Sequence, residues 1–373
     1  MKKGYNKIVA CILILMIFSL PVIFFAESKK GFSENENRVL QNFPNFTLKK
    51  LFNGKYITEL ENYLTDQFPF RDNFMSIKTG TDKLLGKEDI NEVYLADNDY
   101  LLEKYNAPEN NDRLINVLNK FNTTINYVNT NLMLVPTSIS INNDLLPNNA
   151  PTYSEVDSIN YIYNKIRFDT INVYNTLLTH NVDYQMYYRL DHHWTSYGAY
   201  YAYVEYARAN NLKAYSLNSF DIKEVTNDFN GTLYSKTSDY TRKSDSIYTF
   251  SLPNTSYTVD YVYSDKETDT LYDDSYLDMK DKYSYFLDNN HPLIVVTNNN
   301  INTDKELIVI KDSFANSIIP FLINHYKKIH IIDPRYYKTS ISKYILENKA
   351  ITDCLILYNI NTIDSDLGVF GIK

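Results

Sequence analysis

Lys305-Glu-Leu-Ile-Val-Ile-Lys-Asp-Ser-Phe-Ala-Asn-Ser-Ile-Ile-Pro-Phe-Leu322 is the stretch on which the fold reading turns. Leu307 to Ile310 is a short β-branched apolar run of the kind that forms a buried parallel strand. The apolar spacing from Ser317 to Tyr326 predicts an amphipathic helix. Ser313 falls in the turn between them. Strand, sharp turn and helix together lift a serine hydroxyl out of a sheet and set it over a helix N-terminus. Free N–H groups there can hold a developing oxyanion. The same spacing also suits Asp312 or Ser313 as a plain N-cap.

A second stretch is Tyr187-Tyr-Arg-Leu-Asp-His-His-Trp-Thr-Ser-Tyr-Gly198. Its centre, Asp191, His192, His193 and Trp194, holds two of the six histidines and the only tryptophan. Imidazole is the side chain most easily poised near neutral pH, and a carboxylate beside it fixes its tautomer and steadies the imidazolium. The alternative is a helix entrance, with Asp191 or Thr195 capping and Trp194 filling core. A serine nucleophile needs a histidine base, and the base needs an orienting carboxylate. Both stretches in one α/β chain therefore weigh toward chemistry.

Asp-His-His-Trp followed by Thr-Ser-Tyr-Gly-Ala-Tyr-Tyr resembles the signature of the DHHW protein family, which is similar to the SGNH-hydrolase-like proteins of alginate O-acetylation. Further blocks agree: Asp66-Gln-Phe-Pro-Phe-Arg71, Phe229-Asn-Gly-Thr-Leu-Tyr-Ser-Lys236, Lys280-Asp-Lys-Tyr-Ser-Tyr-Phe286 and Lys311-Asp-Ser-Phe-Ala-Asn316. The resemblance runs from about residue 33 to about residue 360. It implies an Asp-x-His pair at Asp191 and His193, with His192 as x, and a serine later in the chain at Ser313. One block departs from the pattern: Asp288-Asn-Asn-His291 stands where Gly-Gly-Asn-His is expected, and Asn290 is the oxyanion candidate there.

With 373 residues, 44% hydrophobic and 22% charged, the chain is long enough for one large domain and a small appendage. A net charge of -8 and an isoelectric point near 5.3 argue against nucleic acid, whose phosphates need a basic face. The 35 tyrosines suit carbohydrate-facing surfaces, but abundant Asn, Ile and Lys point to codon usage as the better explanation. Cys11 lies in an apolar segment and Cys354 reads as a small buried hydrophobe, so no disulfide joins them.

Lys2, Lys3 and Lys7 precede Ile8 to Ala26, a 19-residue run without charge. Such a run nearly crosses a hydrocarbon core of about 30 Å, and the lysines place its start in the cytoplasm. The rest of the chain then lies outside the cytoplasm. A cleaved signal is the rival reading, with Phe24-Phe25-Ala26-Glu27 as a poor cleavage site.

Residues 1–26 thus read as an anchor or signal, 27–85 as a helical stalk broken at Pro69, and 86–373 as an SGNH-hydrolase-like domain. In the stalk, Arg71 and Asp72 are read as packing residues. Alternating helices and β-branched strands in the large domain predict a parallel sheet flanked by helices, with sites at the carboxyl ends of strands. Ser138 also follows a strand and is the rival nucleophile, weakened by Pro136 and by the lack of a helical pattern after it. Residues 220–292 form an insertion whose Tyr257-Thr-Val-Asp-Tyr-Val-Tyr263 alternation predicts antiparallel strands over the sheet edge. Asn230-Gly231 reads as a turn and, through the resemblance, as a site wall. The sheet then resumes with Leu293 to Val296, Leu307 to Ile310, Ile329 to Ile332 and Leu355 to Tyr358.

The expected function is acyl transfer at the cell surface, with Ser313 as nucleophile, His193 as base and Asp191 as its orienting carboxylate. Backbone N–H groups at Ser313 or Phe314, with Asn290, are the expected oxyanion donors. Asn359 is a further substrate-facing amide, and Trp194 and Tyr197 are candidates to line the acceptor side. The resemblance implies an exported polysaccharide as acceptor and a membrane-bound O-acyltransferase as the partner bringing acetyl groups. A carbohydrate acetylesterase and a non-catalytic glycan-binding surface protein are the alternatives. No His-Glu-x-x-His or Cys-x-x-Cys spacing and no glycine-rich phosphate loop occurs, so neither metal nor cofactor is expected.

Overall fold

The computed structural model describes residues 2–36 and 38–372. They form two compact units, one from residues preceding Glu88 together with Ser235–Thr241, the other from Glu88–Tyr234 with the residues from Arg242 on.

The larger unit is built on one eight-stranded sheet. Its strands are β1 (Asn129–Val135), β2 (Asp169–Thr170), β3 (Tyr257–Tyr261), β4 (Lys266–Thr268), β5 (Leu293–Asn298), β6 (Glu306–Lys311), β7 (Lys328–Ile332) and β8 (Ile351–Asn359). They lie in the order β4-β3-β5-β7-β6-β8-β1-β2. From β7 to β2 every pairing is parallel. Period-two alternation explains why Leu307 to Ile310 of β6 is an unbroken apolar run: Leu307 and Val309 join the core on one face, Ile308 and Ile310 the core on the other. The predicted α/β architecture is observed, with a mostly parallel sheet flanked by helices.

Three local expectations are corrected. Leu293 to Val296 does extend the sheet, but β5 runs antiparallel to β7, with Leu293 opposite Ile332. A buried apolar run looks the same in either direction, and here the direction follows from the insertion that feeds it. In that insertion β3 pairs antiparallel with β5 and β4 with β3, at the sheet edge, while Asp221–Phe229 and Asp245–Ser251 form a separate ladder. The helix expected from Ser317 to Tyr326 is broken into a 3-10 turn (Ser313–Ser317), a short α-helix (Ile319–Leu322) and a second 3-10 turn (Ile323–His325). Pro320 removes an N–H from it, and residues 314 to 324 are all buried, so no polar face exists. Finally, a helical turn does follow Ser138 (Ser138–Ile141), yet Ser138 is buried and its Oγ accepts from Asn142 Nδ2 at 3.0 Å.

The smaller unit holds the helix Lys2–Ala26, of which Asn6–Ala26 is long and apolar enough to cross a membrane, with mean hydropathy 3.0. This fits a single-pass anchor or a signal sequence. The helices Lys55–Asp66 and Arg71–Leu84 follow. Arg38 forks onto Asp66, Arg71 pairs with Glu36, and Asn35 donates to Asp72 at 2.8 Å, all within this unit.

Candidate active site

The loop from Tyr187 to Trp194 closes on itself through a β-bridge between those two residues, and Thr195 N donates to Met186 O at 2.9 Å. Thr195 then caps the helix Ser196–Ala209, its Oγ1 accepting from Gly198 N. The capping role therefore falls to Thr195 and not to Asp191. Trp194 is fully buried. Its indole N–H reaches Phe314 O at 2.8 Å and Ser317 Oγ at 2.9 Å, so it ties this loop to the turn after β6 from below and lines no acceptor surface.

That turn carries Ser313. Asp312 is its N-cap: Oδ1 accepts from Phe314 N at 2.9 Å, and Oδ2 accepts from Asn359 N at 2.8 Å and Asn359 Nδ2 at 2.7 Å. Burial raises the Asp312 carboxyl to about 6 against the N–H groups of Asn359 and Phe314. Ser313 is half-buried, with its hydroxyl at the rim of the carboxyl ends of the strands.

The two stretches meet. Ser313 Oγ lies 2.7 Å from His193 Nε2, and His193 Nδ1 lies 2.6 Å from Asp191 Oδ1. An ionised carboxylate only accepts, so Nδ1 carries the proton and Nε2 is left bare to receive the Ser313 hydroxyl hydrogen. Burial drives the His193 imidazole down, the neighbouring His192 adds to this, and Asp191 pulls the other way, leaving it at about 4. Burial would raise the Asp191 carboxyl. The two imidazoles and the hydrogen bonds it accepts outweigh burial and hold it well below the usual carboxylate range.

Two residues without an expected role, Thr232 and Tyr283, complete the arrangement. Asp191 Oδ2 accepts from Thr232 N at 2.8 Å and Thr232 Oγ1 at 3.1 Å, and Oδ1 also accepts from His193 N at 3.0 Å. Thr232 Oγ1 lies 2.6 Å from His192 Nδ1 as well. Tyr283 stacks flat on the His193 ring, with centroids 3.6 Å apart and planes 9° apart, and its hydroxyl donates to Ser313 O at 3.1 Å. The Asn230-Gly231 turn is the sequence signal that precedes Thr232; Tyr283 lies in the Lys280-Asp-Lys-Tyr-Ser-Tyr-Phe286 block, where its residue type alone marks no role.

The remaining predicted residues are placed as follows. Phe314 is buried beside the His193 ring, and its N–H is engaged by Asp312, which removes it as an oxyanion donor. Ser313 N, the first of the turn, has no carbonyl within the turn to bond. Asn290 Oδ1 accepts from the fully buried Lys311 Nζ at 2.6 Å, which fixes the orientation of its amide. Asn359 is buried with both amide hydrogens directed at Asp312 and Thr362, so it is a cap and not a substrate-facing amide. Tyr197 stacks on Tyr184 at 4.7 Å and meets Phe250 edge-on, serving the core under its helix. Asp191, His192 and His193 place three metal-ligating atoms within 4.8 Å. An ion there would have to displace the donors of His193 and Thr232 from Asp191.

A model of the DHHW protein family matches residues 87–332. Among solved structures the chain is similar to a DHHW family protein from Eubacterium siraeum, with 24% identity over 76% of this chain and 96% of that one, and TM-score 0.67. It is also similar to Bacillus cereus PatB1, solved with a sulfonyl adduct, with 21% identity over 75% of this chain and 98% of that one, and TM-score 0.62. At these identities the likeness shows a shared fold. No curated protein matches the chain.

Proposed function

The chain belongs to the DHHW protein family, and from that membership together with the site geometry we propose that it transfers an acetyl group through a Ser313 ester to a hydroxyl of an exported or cell-surface polysaccharide. The observation that carries this reading is the continuous chain of contacts from Ser313 Oγ to His193 at 2.7 Å and on to Asp191 at 2.6 Å. Ser313 Oγ attacks the acetyl carbonyl while His193 Nε2 takes its proton. The same proton passes to the leaving oxygen as the donor's C–O bond breaks and the Ser313 ester remains. In the second half an acceptor hydroxyl gives its proton to His193 and attacks the ester, and the proton returns to Ser313 Oγ. Asp191 holds Nδ1–H throughout and steadies the imidazolium in both halves. Ser313 N supplies a backbone donor to the oxyanion.

The apolar helix Asn6–Ala26, with lysines before it, supports an anchored protein whose catalytic unit faces away from the cytoplasm. Acetyl groups then have to cross the bilayer, which calls for a membrane-bound O-acyltransferase as donor partner. Water in place of the sugar hydroxyl makes the same site an esterase.

The test incubates the purified protein with p-nitrophenyl acetate, with and without oligosaccharide. Nitrophenol release and acetylated sugar are measured together, the latter by mass spectrometry. Transfer to sugar that disappears in Ser313→Ala supports the proposal. Release without sugar acetylation supports the esterase. Activity unchanged in Ser313→Ala leaves a surface binding protein.

A further inference from the structure

In the smaller unit the apolar side chains have little core to enter. Of the aromatic and long aliphatic residues between positions 27 and 87, only Leu40 and Tyr63 are buried among the described residues. Phe43, Phe46, Leu48 and Phe52 instead stand 63%, 58%, 64% and 86% exposed. A single exposed apolar residue is ordinary, but a cluster of this kind marks a surface that something covers.

Local structure gathers these residues together. Thr47 caps the helical turn Leu48–Phe52, its Oγ1 accepting from Lys50 N at 3.2 Å. Within Leu-Lys-Lys-Leu-Phe the apolar positions lie three and four apart, so they share one face, and Lys49 and Lys50 fall on the other. Phe46 meets Tyr56 edge-on at 5.2 Å, and Phe43 meets Tyr63 edge-on at 5.2 Å. Tyr56 and Tyr63 are seven residues apart in the helix Lys55–Asp66 and so lie on one side of it. Tyr63 in turn touches Phe24, with centroids 6.0 Å apart, in the last turn of the apolar helix Asn6–Ala26.

That continuity names the occupant. Where a spanning helix leaves the hydrocarbon, its neighbours meet the headgroup layer, in which aromatic rings settle and lysine stems reach outward to phosphate. Lys29 Nζ stands over the Phe24 ring, 3.5 Å from its centroid. Lys50 pairs with Glu59 at 2.7 Å, and Lys49 beside it is exposed at the margin of the apolar cluster. We propose that residues 43–52 form an interfacial lipid-binding surface, with Phe43, Phe46, Leu48 and Phe52 entering the headgroup layer of the extracytoplasmic leaflet and Lys49 meeting lipid phosphate. The smaller unit then lies along the bilayer and does not project from it. This rests on the reading of Asn6–Ala26 as a membrane anchor and adds a second contact outside the spanning segment.

The test uses the full chain reconstituted in vesicles of phosphatidylcholine and phosphatidylglycerol, with one nitrobenzoxadiazole label per molecule. Cys354 is buried, so the wild type takes the label at Cys11. Cys11→Ser combined with Leu48→Cys, Phe52→Cys or Glu61→Cys moves it. Glu61 is exposed on the side of the helix Lys55–Asp66 away from Tyr56 and Tyr63, and serves as the comparison. Labels at positions 48 and 52 should emit at shorter wavelength than at 61. They should be quenched several-fold more by spin-labelled acyl chains and several-fold less by iodide present on both sides of the bilayer. The proposal is overturned if positions 48 and 52 match position 61 with both quenchers, which leaves the surface to a protein partner. It is also overturned if their shielding from iodide disappears when the lipid-to-protein ratio is raised, which assigns the surface to a second copy of the chain. A label at Cys11 that is open to iodide defeats the anchor reading alone, and positions 48 and 52 are judged by the same comparison in either case.

Discussion

The main-chain N–H of Thr232 donates to Oδ2 of Asp191 at 2.8 Å across 41 residues of sequence. The residue before it comes so near that a Cβ on Gly231 would stand 2.2 Å from the same oxygen. The acidic member of the site is therefore positioned by backbone, and the close approach requires glycine.

Gly231→Ala should displace Asp191 and lower kcat/KM on p-nitrophenyl acetate by about a hundredfold, since shifts near 1 Å in catalytic geometry cost that much. Thr232→Val keeps the N–H and loses only the hydroxyl, so its loss should stay within about tenfold. Equal losses in the two variants would contradict positioning by backbone.

Ser313→Ala and His193→Ala should each lower kcat by about 10⁴-fold or more, and the double variant should be no worse than either, because the two groups act as one unit. Intact-protein mass after treatment with a sulfonyl fluoride gives an independent check: the wild type gains one adduct and Ser313→Ala gains none.

The pH profile follows from the His193 imidazole lying at about 4 instead of its ordinary 6.5. A general base works when neutral, and a lowered value keeps it neutral to lower pH. The rate should thus hold through pH 5 and fall by half near pH 4. His192 contributes to that depression, so His192→Ala should move the acid limb upward. A wild-type limb at 6.5, or a downward move in the variant, goes against it.

Trp194→Phe removes the N–H that meets Phe314 O and Ser317 Oγ and leaves both acceptors buried. The expected loss is about 2–4 kcal/mol in urea unfolding. Tyr197→Phe, which removes a hydroxyl from a half-buried residue, should cost under about 1 kcal/mol.

The run from Leu307 to Ile310 and the turn at Ser313 were legible because burial on both faces and a polar break leave direct marks in residue types. The meeting of Ser313 with His193 lay within reach because each stretch lacked a partner that the other could supply. Thr232 escaped because its contribution is largely an N–H, which every residue except proline has; only the glycine before it left a trace. The direction of β5 had no mark at all, since Leu293 to Val296 reads alike from either end. The segment after Ser313 departs from a single helix because its apolar spacing mimics one helical face, whereas residues 314 to 324 are buried on every side. Phe314 and Asn359 had plausible donors, but Asp312 sits between them and takes up both.

Tyr283 lies against the His193 ring like a bench, and Phe314 stands at 5.1 Å from it. An imidazole held this way has no room to swing between two stations. On the proposed acyl-transfer reading, donor and acceptor must therefore visit one berth in succession. The kinetic mark of such an arrangement is a set of parallel double-reciprocal plots, with excess acceptor slowing the reaction by crowding out the donor.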